Sequence, residues 1–212
     1  MGIRAYDEMY LSSAQNILGH AVDFAVMTLD MAPDYFGTAF AVSDASKQFA
    51  AGNPSYVAGM SGCELVRTVL AETRIPCPEA EDAMYIDRSP EYWAGWALAF
   101  YQWKSLRSFI EILSAVPLHQ IIEMYSIYHE MDILHFAEEM EIQMRDTYPQ
   151  MKLRVLRYAS GLSQTELSAI ADVPLRQIQL FEQGQRDINK TSAFTIFKLS
   201  KALHCRMEDL IE

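Results

Sequence analysis

Apolar residues recur along this chain at spacings of three and four, segment after segment, and that period predicts helices and an all-α fold. Residues 11–29 carry Ala14, Ile17, Leu18, Ala21, Val22, Ala25 and Leu29 on one stripe, with Ser12 or Ser13 as cap. Pro33 opens a second helix through Tyr35, Phe36 and Phe40, and residues 43–51 make a third, stopped by Gly52-Asn53-Pro54. With two glycines and a proline, residues 52–60 read as a loop. Ser61 and Glu64 form S-x-x-E, the pattern in which hydroxyl and carboxylate cap a helix reciprocally, ahead of Leu65, Val66, Val69 and Leu70. Pro76, Pro78 and the acids of 79–82 mark a linker-like excursion.

Ser89-Pro90-Glu91 combines a cap, a first-turn proline and a first-turn acid. The helix it opens carries Trp93, Trp96, Phe100 and Trp103 along one side, with Tyr92 and Tyr101 away from that stripe. Such a stripe can line a ligand pocket or a partner groove; packing in a helical core is the preferred reading, because rings at this spacing usually anchor a domain. Helical spacing continues over 106–116, is interrupted at Pro117 and resumes over 121–128. Tyr148-Pro149-Gln150 breaks the run and divides the chain into residues 1–148 and 151–212.

In the second part, Leu153, Leu156 and Arg157 lie on a first helix ahead of Gly161. Ser163 and Glu166 repeat the S-x-x-E cap, starting a helix through Leu167, Ile170 and Ala171 that ends at Asp172-Val173-Pro174. A third helix opens with Pro174 at its first position and stops at Gly184. On its wheel Ile178 and Phe181 point one way, and Arg176, Gln179, Leu180 and Gln183 the other. Two short capped helices joined by a tight turn, the second presenting Arg and Gln outward, match the helix-turn-helix plan that places a helix in the DNA major groove. Residues 185–190 read as a loop, 191–203 as a fourth helix with Ile196, Leu199, Ala202 and Leu203 inward, and 207–211 as a short fifth.

The net charge of -11 argues against nucleic acid until it is divided. Residues 1–150 hold 8 Lys+Arg against 21 Asp+Glu, or -13, and residues 151–212 hold 9 against 7, or +2. An acidic block joined to a mildly basic one suits a DNA-reading module carried by a regulatory or partner-binding domain. Half the residues are hydrophobic, which excludes disorder. Cys63, Cys77 and Cys205 are odd in number and far apart, so free thiols in a reducing cytoplasm are expected. No apolar run approaches the length of a membrane span, and the start lacks a signal-peptide core.

Candidate chemistry elsewhere is thin. His129, Asp132, His135, Glu138 and Glu139 are potential metal ligands, but the two histidines, six residues apart, stand about 240° apart on a helix. A solvated acidic face is preferred to a metal site. The serines of 41–46 and 60–62 lack both the nucleophile-elbow pattern and a histidine partner, and no glycine loop for phosphates or hydride cofactors occurs. The expectation is a protein that is not an enzyme and takes no cofactor.

Residues 151–212 resemble the Xre-type, lambda-repressor-like helix-turn-helix domain. The resemblance rests on Leu153, Arg154, Arg157, Gly161-Leu162-Ser163-Gln164, Glu166-Leu167, Ala171, Val173, Ile178, Phe181-Glu182, Gly184, Arg186, Leu199, Ala202-Leu203 and Asp209-Leu210. It implies a five-helix domain that binds a double-stranded DNA operator sequence-specifically, usually as a homodimer and most often to repress transcription. Asp172 stands where the family generally has a turn glycine, and Pro174 replaces its usual Ser or Thr cap.

By matching position, Gln164 is expected on a phosphate, Arg176 on guanine, Gln177 and Gln179 on adenine, and Leu175 or Leu180 on a thymine methyl. Gln183, Arg186, Asn189 and Lys190 are expected along the DNA backbone. Residues 1–148 resemble the N-terminal extensions of antitoxin-type regulators, which implies a basic partner protein, a toxin, held by this acidic domain. The alternative is a ligand sensor whose ring-lined helix encloses a small-molecule effector.

Overall fold

The computed structural model describes residues 4–82, 88–144 and 152–211, with the backbone alone at 145–147. It is all-helical, with no strand among the described residues. Residues Arg4–Met144 form one compact unit, and Arg145–Glu212 belong to a second. The break expected at Tyr148-Pro149-Gln150 lies outside the described residues.

In the first unit α1 (Leu11–Asp23) runs into a π-helical turn at Phe24–Thr28, where the Leu29 N–H reaches back five residues to the Phe24 carbonyl at 3.0 Å. Asp30, at φ 52°, ends the run that the spacing predicted as one regular helix. After α2 (Pro33–Val42) and α3 (Asp44–Ala50), the segment expected to be a loop contains a one-turn helix, α4 (Pro54–Val57), capped by the Asn53 side chain on the Ser55 N–H. α5 (Gly62–Glu72) opens with the Ser61–Glu64 capping box.

The centre of the unit is α6 (Pro90–Ser105), which packs along α1. A Cβ on Gly95 would sit 2.3 Å from the Leu18 carbonyl oxygen, so only glycine permits this approach of the two backbones. Phe100 and Trp103 are buried, as their stripe predicted, but so are Tyr92 and Tyr101 on other faces. A helix apolar all round is enclosed on several sides rather than resting on one neighbour. Tyr101 donates to Glu141, 2.8 Å away, which also takes the guanidinium of buried Arg107 at 3.2 Å.

The helix read through 106–116 is two elements. Leu106 adopts φ 63° and stops α6, and Ser108 with Glu111, another S-x-x-E pair, caps α7 (Phe109–Ala115). α8 (Leu118–Glu123), α9 (Tyr125–Tyr128) and α10 (Ile133–Thr147) complete this part of the chain. His129 ends α9 whereas His135 lies on α10, and among the described residues no group of three or more His, Cys, Asp or Glu is placed to hold a metal.

The second unit contains α11 (Lys152–Ala159), α12 (Gln164–Ala171), α13 (Leu175–Glu182) and α14 (Ala193–Ala202), with 3-10 turns at Ile188–Lys190 and Met207–Asp209. Its core gathers Leu153, Leu167, Val173, Ile178, Phe181, Leu199 and Leu210. Ile188, in the segment read as a polar loop, is buried there too, and the short fifth helix read over 207–211 is a 3-10 turn at Met207–Asp209. All three cysteines are free thiols, and among the described residues no helix is long and apolar enough to cross a membrane.

Candidate nucleic-acid interface

The pair α12–α13 is built from local rules and then locked by distant residues. Ser163 Oγ accepts the Glu166 N–H at 3.1 Å, and Glu166 accepts the Ser163 N–H at 2.8 Å. The Ser163 hydroxyl first, and its backbone N–H second, hold the Glu166 carboxyl below its usual range. α12 ends at Asp172, which adopts φ 48°, ψ 49° with no glycine to ease it. Lys198 from α14 steadies the corner, donating to the Asp172 carboxylate at 2.6 Å and to its backbone oxygen at 3.1 Å. Ser168 Oγ closes the turn on the Val173 carbonyl at 2.7 Å, and Val173 is buried. Pro174 stands at the cap, one place before the first helical residue Leu175.

On α13 the buried residues are Ile178, Phe181 and Glu182. At about 100° per residue, Arg176, Gln179, Leu180 and Gln183 fall within one arc opposite them. Arg176 and Gln183 are exposed and Gln179 and Leu180 half-buried, and among the described residues no carboxylate pairs with Arg176. Leu175 and Gln177 flank that arc, both half-buried, and the Gln177 amide is turned to the Thr191 hydroxyl at 3.3 Å. Beyond Gly184, which takes φ 66°, Arg186 is exposed and places its guanidinium 5.7 Å from the Phe181 ring centre. Asn189 and Lys190 are exposed on the 3-10 turn, with Lys190 3.2 Å from Asp187. Gln164 opens α12, but its amide donates to Glu182 at 2.7 Å, so one of its two N–H groups is already in use.

That bond belongs to a network absent from the sequence reading. Arg157 on α11 grips Glu182 with two N–H groups, at 2.7 and 3.0 Å, and donates a third to the Leu162 carbonyl at 2.7 Å. Both side chains are more than nine-tenths buried. Burial works against the guanidinium charge, but the pairing with Glu182 prevails and raises its pKa. A fork on a carboxylate fixes orientation as well as distance, so the end of α13 is held against α11 and the start of α12. The available clue was a charge of each sign at positions facing inward: Arg157 four residues after Leu153, and Glu182 next to Phe181.

The first unit has a cleft of about 440 Å³. Trp93 and Trp96, half-exposed, line it together with Tyr125 and Tyr128, so the stripe read from sequence divides: Phe100 and Trp103 enter the core while the two leading tryptophans face the cleft. Compared with known proteins, the chain matches no family model, no curated protein and no solved structure.

Proposed function

We propose that this chain is a sequence-specific DNA-binding regulator of transcription, a cytoplasmic repressor that acts as a dimer on an operator. The observation that carries the reading is the outward arc of α13, where Arg176, Gln179, Leu180 and Gln183 stand opposite a packed core on a helix tied at its end by the Arg157–Glu182 fork. Arg and Gln are the side chains whose paired hydrogen-bonding groups match guanine and adenine edges in the major groove. Rigid placement matters, because base readout requires the same geometry at each encounter. Gln164, Arg186, Asn189 and Lys190 are assigned to the phosphate backbone, and the Gln177 amide to a dual role with Thr191. The acidic unit 4–144 then serves as partner-binding element, a basic toxin being the partner under the antitoxin form of this reading.

Binding titrations test it, using the DNA upstream of the gene as mapped by footprinting, with random duplex as reference. Arg176→Ala should cost roughly 1–3 kcal/mol on the operator and relax preference at one base pair. Lys190→Ala should weaken both duplexes alike and flatten the salt dependence by about one ion. Equal losses on operator and random DNA for Arg176→Ala defeat the assignment of this helix. A second reading, effector sensing by the first unit, is favoured by the ring-lined cleft, which falls within the size range of small-molecule sites.

A further inference from the structure

The cleft of the first unit carries more information than its size. Trp93 meets Tyr125 at 76° with ring centres 5.8 Å apart, and Phe136 at 74° and 5.3 Å. In an edge-on pair one ring covers a face of the other, and the His129 ring stacks on Tyr125 at 20° with centres 4.2 Å apart, so half-exposed Trp93, Trp96 and Tyr128 supply the aromatic surface of the cleft. A ring face is the negative end of the aromatic quadrupole and attracts cations. The chain already uses this attraction at the same site: the Arg88 guanidinium lies 5.2 Å over the Tyr92 ring. Both residues line the cleft.

The charges decide the sign of the guest. Arg88 lies over the Tyr92 ring, whereas the buried Asp23 carboxylate takes the Ser89 hydroxyl, and no ion pair joins the two among the described residues. Asp132, the carboxylate lining the cleft, accepts the Leu134 N–H at 2.8 Å to start α10, and no ion pair engages it among the described residues. Glu139 bears on the hydroxyl of Tyr128, which also lines the cleft. Around these groups, residues 1–150 carry a net charge of -13, a field that concentrates cations at the mouth of any cleft.

We propose that this cleft binds a small organic cation of the alkylated ammonium class, its charge resting on the faces of Trp93, Trp96 and Tyr128 and balanced by Asp132. An anion would face Asp132 and the unit's field, with Arg88 and His129 as the basic side chains of the lining. The proposal rests on the effector-sensing reading and names its ligand class.

Tryptophan fluorescence of the full chain tests it, because two of the three tryptophans line the cleft. The probes are choline and benzyltrimethylammonium, with 3,3-dimethylbutan-1-ol as the uncharged isostere of choline and 3,3-dimethylbutanoate as the anion of similar shape. Expected is saturable binding of the cations, about tenfold tighter than the alcohol, with the anion weakest. Asp132→Asn, which keeps an oxygen to cap α10, should erase most of the preference for choline over the alcohol. Trp96→Ala should lose cation binding while its circular dichroism melt stays that of a folded protein. If the alcohol binds as tightly as choline, or the anion more tightly, the cation assignment falls while effector binding stands. If Asp132→Asn leaves the preference intact, the counter-charge assignment is overturned. If no probe binds at millimolar concentration, the alkylated-ammonium assignment is overturned, whereas the effector-sensing reading falls only if ligands of other classes fail as well.

Discussion

Arg157→Met removes the charge beneath the DNA-reading helix pair while keeping most of the side chain's apolar volume. The guanidinium makes three hydrogen bonds, two to Glu182 and one to the Leu162 carbonyl, all at 3.0 Å or less. In the variant Glu182, buried to 6% exposure, keeps only the Gln164 amide as a partner. Removing one member of a buried ion pair typically costs about 3–5 kcal/mol, because the other charge stays out of water without compensation. At about 1.4 kcal/mol per tenfold, the unfolding equilibrium of this unit shifts between a hundredfold and several thousandfold. A domain of this size has total stability of roughly 3–9 kcal/mol, so the variant sits near or past its threshold. The three tryptophans, at 93, 96 and 103, report only on the first unit, whereas helical circular dichroism reports on both. In urea, the dichroism of Arg157→Met should acquire an early transition with no counterpart in tryptophan fluorescence. Arg157→Met combined with Glu182→Leu should recover most of the loss, since replacing both partners by apolar groups is often neutral or stabilising by about 1–4 kcal/mol. A cost below about 1 kcal/mol for the single variant, or a double variant no better than the single, refutes the argument that an unpaired Glu182 is the penalty.

Other perturbations probe the local devices. Ser163→Ala should cost about 1 kcal/mol by uncapping α12. In the intact protein Glu166 should titrate below its ordinary value of 4.5, so the cap's contribution is complete above that value and lost as pH falls through the depressed one. NMR titration should show the Glu166 midpoint rising toward 4.5 in Ser163→Ala; an unchanged midpoint sinks the pairing. Asp172→Gly exchanges a strained left-handed residue and one exposed ion pair for a relaxed turn in which Lys198 keeps the backbone oxygen. Its melting temperature should rise, and a fall would show the Lys198 carboxylate contact to be the stronger effect. Gly95→Ala would gain about 1 kcal/mol of helix propensity. Its Cβ, however, meets a backbone oxygen at 2.3 Å, so a net loss of roughly 1–3 kcal/mol is expected in denaturant titration. Equal or greater stability would mean that α1 and α6 separate easily.

Much of the fold was legible because helix starts are local. Ser61 with Glu64 and Ser163 with Glu166 are three residues apart, and their bonds follow from helix geometry alone. The same pattern at Ser108 and Glu111 was in the sequence and marks a helix start inside a stretch whose apolar spacing reads as continuous. The two faces of α13 also followed from spacing, since a helix with Ile178 and Phe181 inward must turn Arg176, Gln179 and Gln183 outward. Leu106 and Asp172 show the limit of composition rules: both take left-handed backbones that their types do not announce.

Taken alone, the sequence determined the all-helical class, helices such as α5, α6 and α12 with their capped starts, and which face of α13 looks away from its core, because each depends on residues within about a turn of one another. Only the tertiary structure decided that Trp93 and Trp96 line a cleft while Phe100 and Trp103 are buried, and that Gln164 spends an N–H on Glu182. It also joined Arg157 to a carboxylate 25 positions away and Lys198 to Asp172 across 26. Pairings at that separation depend on how helices are brought together, and the wheel of one helix contains no information about what will stand opposite it.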